Sequence, residues 1–140
     1  MWIHVHTGET TVSPEAVWKV LRNIDQGASW DTSMDWVRLQ GPFRAGSEVV
    51  MKPKGQDPIT SVIVEVVESE RYDDETHLGE VTLRFSHTLK ALDNGGTRVI
   101  HRLEITGLAA DQVGPELGPA ITEDFPEAME ALFARAVRDP

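Results

Sequence analysis

His87 and His101 are the residues of this chain whose type and spacing best suit proton transfer, because neutral imidazole near pH 7 both gives and takes protons. Each sits in a run of alternating residues. Val81, Leu83, Phe85, His87, Leu89 and Ala91 share one side of a predicted strand, and Val99, His101, Leu103 and Ile105 share one side of the next. The turn between them is Asp93-Asn94-Gly95-Gly96. Keeping both apolar sides together requires an odd loop. A three-residue loop, Asp93 to Gly95, sets His87 opposite His101; the loop Asn94 to Gly96 makes them diagonal neighbours. Either histidine is then a candidate catalytic acid or base for a hydroxyl or an enolisable carbonyl. The plainer and favoured reading is a hydrogen-bonded pair that shapes a pocket wall, with burial depressing its basicity. A metal held by both and a third ligand such as Asp74 needs another strand to cooperate, and no metal is expected.

Tyr72, Asp74 and Thr76 share one side of their strand, with Arg71, Asp73, Glu75 and His77 on the other. If the Tyr72 side faces inward, Asp74 is a buried carboxylate and a credible base. The outward alternative, in which Asp74 is one more solvated acid, is favoured. His4 and His6 share a side of the first strand and are expected at the surface; His77, beside Gly79, reads as a turn residue. A phosphate-cradling glycine loop, a serine nucleophile elbow and a His-Glu-x-x-His helix are all missing, and there is no cysteine. Should the protein be an enzyme, no metal or nucleotide cofactor is expected, and activity should depend on the two histidines more than on any surface acid.

Elements that position these groups are legible from period and punctuation. Residues 114–137 form the organising helix: Leu117, Ile121, Phe125, Ala128, Met129, Leu132, Phe133 and Ala136 recur at spacings of three and four, opposite an acidic side. Pro126 predicts a kink near residues 122–126. A first strand over 2–12 leads into a helix capped by Ser13, opened by Pro14 and Glu15, and running to about Ile24. A short second helical turn within 28–34 carries Trp30. Strands follow over 36–40, 48–52, 59–67 and 71–78, ahead of the hairpin. Seven acids and one arginine lie between Glu65 and Glu80, which predicts a solvated sheet edge.

With 140 residues the chain makes one domain, 1–140, able to bury roughly 68% of its unfolded surface. Thirteen Lys and Arg against 23 Asp and Glu give a formal charge of −10, which argues against nucleic-acid and membrane-surface partners. The lack of cysteine fits a reducing compartment, and no export signal or membrane span is apparent, so a cytoplasmic location is expected. Oligomeric state is not encoded in any feature of the sequence.

Six stretches carry a resemblance to a known family: Ser13-Pro14-Glu15-Ala16-Val17-Trp18, Ser29-Trp30-Asp31, Gly41-Pro42-Phe43-Arg44-Ala45-Gly46, Phe85-Ser86-His87, Gly95-Gly96-Thr97-Arg98-Val99-Ile100-His101 and Asp124-Phe125-Pro126-Glu127. In this order they resemble the SRPBCC superfamily, in its polyketide cyclase/dehydrase and lipid-transport branch. The resemblance implies an α+β START-like helix-grip fold: a curved seven-stranded antiparallel sheet around a long kinked C-terminal helix, with two short helices after the first strand. It also implies an apolar cavity between sheet and helix that takes a small hydrophobic or aromatic molecule. Trp30, Met51, Tyr72, Asp74, Leu83, Phe85, Leu103, Ile121, Phe125 and Met129 are the candidate ligand contacts. Should the protein be an enzyme, cofactor-free cyclisation or dehydration by acid-base chemistry is the activity the resemblance implies; a non-catalytic carrier is the alternative. A stress or co-chaperone module ranks third, because Arg84, Lys90, Arg98, Arg102 and Glu104 give the outer sheet face a charged rather than an apolar character.

Overall fold

Alternating β-branched segments and glycine turns produce seven antiparallel strands: β1 (Trp2–Thr10), β2 (Met34–Gln40), β3 (Glu48–Pro53), β4 (Ile59–Val67), β5 (Arg71–Leu78), β6 (Val81–Ala91) and β7 (Thr97–Thr106). The structure is a computed structural model that describes residues 1–138. The strands form one curved sheet in the order β1-β7-β6-β5-β4-β3-β2. Register shifts at Met34/Trp36 and at Ile63/Glu65 supply bulges that bend it. In the last hairpin Ala91 pairs with Thr97, so the loop is the three-residue one and His87 lies directly opposite His101.

Helix α1 (Pro14–Arg22) starts as its sequence dictates: the Ser13 hydroxyl accepts from the Ala16 N–H at 3.3 Å and Pro14 needs no partner. It buries Val17, Trp18 and Leu21. It stops at Arg22, two residues before the expected end. The second helical turn is a 3₁₀ turn at Ile24–Ser29, ahead of the expected 28–34, so only one α-helix follows β1. Asp25 explains the earlier position: its carboxylate accepts from the Leu39 N–H at 2.8 Å and ties the turn to β2. Trp30 follows directly.

The organising helix begins earlier than predicted and is kinked where expected. Its two arms are α2 (Ala110–Thr122) and α3 (Phe125–Arg138), with Glu123 and Asp124 between them and Pro126 in the first turn of α3. The α3 arm buries Met129, Leu132 and Ala136, as its stripe predicts. The α2 arm differs: its buried positions are Ala110, Gly114, Gly118 and Thr122, while Leu117 and Ile121 are half-buried. The Trp2 ring lies so close to Gly114 and Gly118 that a Cβ at either would collide with it.

That contact orients β1. Trp2, His4, His6 and Gly8 face the concave side, whereas Ile3 and Val5 are 43% and 50% exposed. The expectation that His4 and His6 are surface residues is therefore corrected: His4 stacks on Trp2 and meets the edge of Phe125. The acid-rich stretch is also not a sheet edge, because β5 lies between β4 and β6. Asp73 is fully buried on the convex side by Arg71 and Arg84.

Candidate functional site

A cleft of two joined lobes opens between the concave sheet and the α2–α3 elbow, about 230 Å³ in the inner lobe and about 580 Å³ in the outer. Trp30, Met51, Phe85 and Ile121 wall both lobes. Tyr72, Asp74, His87, His101 and Phe125 line the inner one, and Leu83 the outer. Two candidate ligand contacts are corrected. Leu103 and Met129 are 0% and 2% exposed and sit in packed clusters, Leu103 beneath α2 and Met129 between α1 and β7. Both share a face with wall residues, but neighbouring side chains cover them completely.

The inner wall is built by register. His6, His101, His87 and Tyr72 are consecutive cross-strand partners over β1, β7, β6 and β5, so their side chains stand in one row on the concave face. Tyr72 stacks on His87 with ring centres 4.2 Å apart; His87 meets His101 edge-on at 5.2 Å, and His101 meets Phe125 at 6.2 Å. His87 Nδ1 lies 3.0 Å from the Tyr72 carbonyl oxygen, which can only accept, so the proton resides on Nδ1. Burial pulls the His87 pKa down, opposed by that hydrogen bond. His101 is depressed further, to about 3, by burial first and then by the neighbouring His87 and His6; its Nε2 has no partner. At neutral pH this pair is uncharged and weakly basic.

Asp74 behaves in the opposite way. The structure turns the Tyr72 side of β5 inward, against the favoured outward expectation, and pairs Asp74 with Phe85 in the next row. Asp74 is 5% exposed and its Oδ1 has no partner. Burial, then the charges of Asp73 and Glu75, push its pKa up to about 7, while hydrogen bonding with Tyr72 opposes the rise. Tyr72 itself is raised well above the ordinary phenol value by burial and by Asp74. Trp30 Nε1 is a third buried polar atom without a partner. Asp74 thus offers both its acid and its carboxylate form near neutrality, which the histidines do not.

A sequence signal for this inward face exists in the Gly79-Glu80 turn. Two turn residues pair Leu78 with Val81, and counting back pairs Asp74 with Phe85, on the apolar side of β6. Participation of His6 in the row has no comparable local signal. Among the described residues no group of three or more His, Cys, Asp or Glu is placed to hold a metal ion, and no helix is long and apolar enough to cross a membrane.

Solved structures share this architecture at low sequence identity. The Zhui aromatase/cyclase from Streptomyces sp. R1128 superposes with a TM-score of 0.81 at 15% identity, covering 97% of this chain and 93% of that one. A START superfamily protein from Mycobacterium smegmatis gives 0.77 at 13% identity, covering 97% of both chains. Norcoclaurine synthase from Thalictrum flavum gives 0.76 at 10%, covering 96% of this chain and 86% of its own. At these identities the likeness shows the fold alone. No curated protein matches the chain in sequence. A family model described as polyketide cyclase/dehydrase and lipid transport matches residues 2–139, nearly the whole length, and on that match the chain belongs to this family of the START-like, SRPBCC type.

Proposed function

We propose that this protein binds a small apolar or aromatic molecule with polar substituents in the two-lobed cleft, and that Asp74, backed by Tyr72, exchanges a proton with it. One observation carries this reading: Asp74 Oδ1, His101 Nε2 and Trp30 Nε1, all buried and without a partner, belong to residues lining one largely apolar lobe. Leaving a buried polar group unsatisfied costs about 1–3 kcal/mol, a cost that a bound ligand's own donors and acceptors would offset. Size agrees. An apolar cavity of roughly 150 Å³ holds benzene, so the inner lobe suits one substituted ring and the outer lobe the rest of a longer molecule.

The chemistry this supports is cofactor-free cyclisation or dehydration, in which the walls hold a flexible substrate folded and a carboxyl group near its midpoint moves protons. Compared with the sequence expectation, the catalytic role shifts from His87 and His101 to Asp74. The histidines become orienting groups, able to hydrogen-bond an oxygen without taking its proton. An aromatase/cyclase among the structural relatives is consistent with such chemistry. The family also spans lipid transport, and the larger outer lobe fits a carrier equally well.

Native mass spectrometry of gently purified protein tests the binding step, with a co-purifying molecule of ring-bearing or lipid-like composition expected. Single-turnover conversion of that molecule tests the chemistry. Asp74→Asn should slow it by about 10²–10⁴-fold if Asp74 transfers the proton. Unaltered conversion in Asp74→Asn, with loss in His101→Gln, would return catalysis to the histidines.

A further inference from the structure

Every charged side chain that faces the inner lobe is acidic. Its lining includes Asp31, Asp74 and Asp124. Arg102, which also borders it, belongs to the opposite sheet face: it alternates with the inward His101 and Leu103, and its guanidinium donates to Glu104 at 2.7 Å. The outer lobe adds Glu127 to Asp31 and Asp124, against Lys54 alone. Asp31 is held in place, its Oδ1 accepting from the Ser33 N–H at 3.0 Å and from the Ser33 hydroxyl at 2.6 Å. Deeper in, Asp74 is 95% buried with Oδ1 unpartnered, and Trp30, Tyr72, Phe85 and Phe125 line the same space. A carboxylate among aromatic side chains, in a low-dielectric cleft of a chain with net charge −10, is a setting that attracts cations.

We infer that the molecule this cleft is built for carries a positive charge, an apolar or aromatic amine whose ammonium group sits against the Asp74 carboxylate and the surrounding rings. This rests on the binding reading above and sharpens it to a ligand class. An ammonium supplies the partner that Oδ1 lacks, while the aromatic walls hold the apolar part.

Charge makes the inference separable from binding as such. Asp74 is faced by Tyr72 on its own strand, by His87 on β6, by His101 on β7 and by Asp31 and Asp124 at the cleft mouth; Asp73 and Glu75 lie through the sheet. An alkylammonium with a pKa near that of lysine, about 10.4, stays charged up to pH 8. It therefore competes with the proton on Asp74, and its affinity should rise with pH up to about 7 and then level off.

The test compares 2-phenylethylamine with its neutral isostere 2-phenylethanol by calorimetric or ligand-observed NMR titration at pH 5.5 and pH 8. At pH 8 the amine should bind at least about tenfold more tightly, a gap matching one charge-assisted contact. Its affinity should fall on the order of 30-fold at pH 5.5, while that of the alcohol stays level or improves. Asp74→Asn should erase the amine's preference over the alcohol and its pH dependence. If that variant does not fold, Asp31→Asn with Asp124→Asn should weaken the amine several-fold against the alcohol. Equal or tighter alcohol binding at pH 8, or an amine preference unaffected by these substitutions, overturns the charge inference and leaves the binding reading standing. Binding of neither probe overturns both.

Discussion

Asp73 and Asp74 are consecutive residues of β5, both removed from water, and their environments give them opposite properties. Asp73 points to the convex face, 0% exposed, where Arg71 donates to it at 2.6 Å and Arg84 at 2.8 Å. Arg84 also reaches Glu65 and Glu75, each at 3.4 Å. Burial pushes the Asp73 pKa up, but the two guanidiniums outweigh it and hold the group below the usual carboxylate range. Asp74 points to the concave face, is almost as buried, meets no cation and is raised to about 7. Burial is shared, so partners decide. One face of the strand is a completed ion network, and the other holds a buried carboxyl group with no cation beside it.

The largest expected effect comes from making Asp73 resemble its neighbour. Arg71→Ala combined with Arg84→Ala leaves a buried carboxylate uncompensated and should cost about 3–5 kcal/mol in urea unfolding at pH 7. Either single change should cost much less, since the other guanidinium remains and both are about a third exposed, at 39% and 32%. Equal losses in single and double variants would show that the network does not act as a unit.

Next in size is the pH profile of the concave face. Asp74 has a folded pKa raised from 3.8 to about 7, so its contribution to stability is present below about pH 4 and lost as pH rises toward 7. At about 1.4 kcal/mol per unit the loss is at most about 4 kcal/mol. His101 is depressed from 6.5 to about 3, so its contribution is present above pH 6.5 and lost as pH falls toward 3. The two slopes oppose each other over nearly the same window, and the parent protein should show a flatter profile than either variant. Asp74→Asn should give stability that rises from pH 4 to 6.5 and should be more stable than the parent at pH 8. His101→Gln should give stability that falls between pH 4 and 7. Parallel profiles in all three proteins would show that these groups do not titrate as their burial implies.

The smallest effect is expected at Trp30, whose buried Nε1 lacks a partner as Asp74 Oδ1 does. Trp30→Phe removes a donor that bonds to no other residue, so stability should change by no more than about 1 kcal/mol. Affinity for a ligand that accepts from Nε1 should drop by about 0.5–1.5 kcal/mol, read by titration. Unchanged affinity would place the ligand's polar groups on Asp74 and His101 alone.

How far the sequence reaches is clear from particular elements. The Ser13-Pro14 helix start, the kink ahead of Pro126, the strand series and the placing of His87 and His101 on one face follow from capping, proline geometry, alternation and an odd loop length, all of them local rules; the register of the pair, direct rather than diagonal, came from the structure. Among the candidate ligand contacts, Trp30, Met51, Tyr72, Asp74, Leu83, Phe85, Ile121 and Phe125 do line the cleft. Leu103 and Met129 carry the same signal of an apolar residue on the right face, and that signal cannot distinguish a wall facing space from a wall facing another side chain.

Pairing between strands and packing between distant segments decided the rest. Strand β5 is polar on both sides, so alternation carries no information about which side turns inward; pairing with the apolar face of β6 settles it and brings Asp74 into the cleft. Strand β1 offers Ile3 and Val5 on one side and Trp2, His4 and His6 on the other, and hydrophobicity favours the first for burial. The second is turned inward because Gly114 and Gly118 of α2, more than a hundred residues away, leave a slot that the Trp2 ring fills. By itself the sequence determined the elements and their caps, since those depend on residues a few positions apart. The face of β1, the protonation of each buried acid and the shape of the cleft depend on contacts between distant segments, and these exist only once the sheet has closed around its helix.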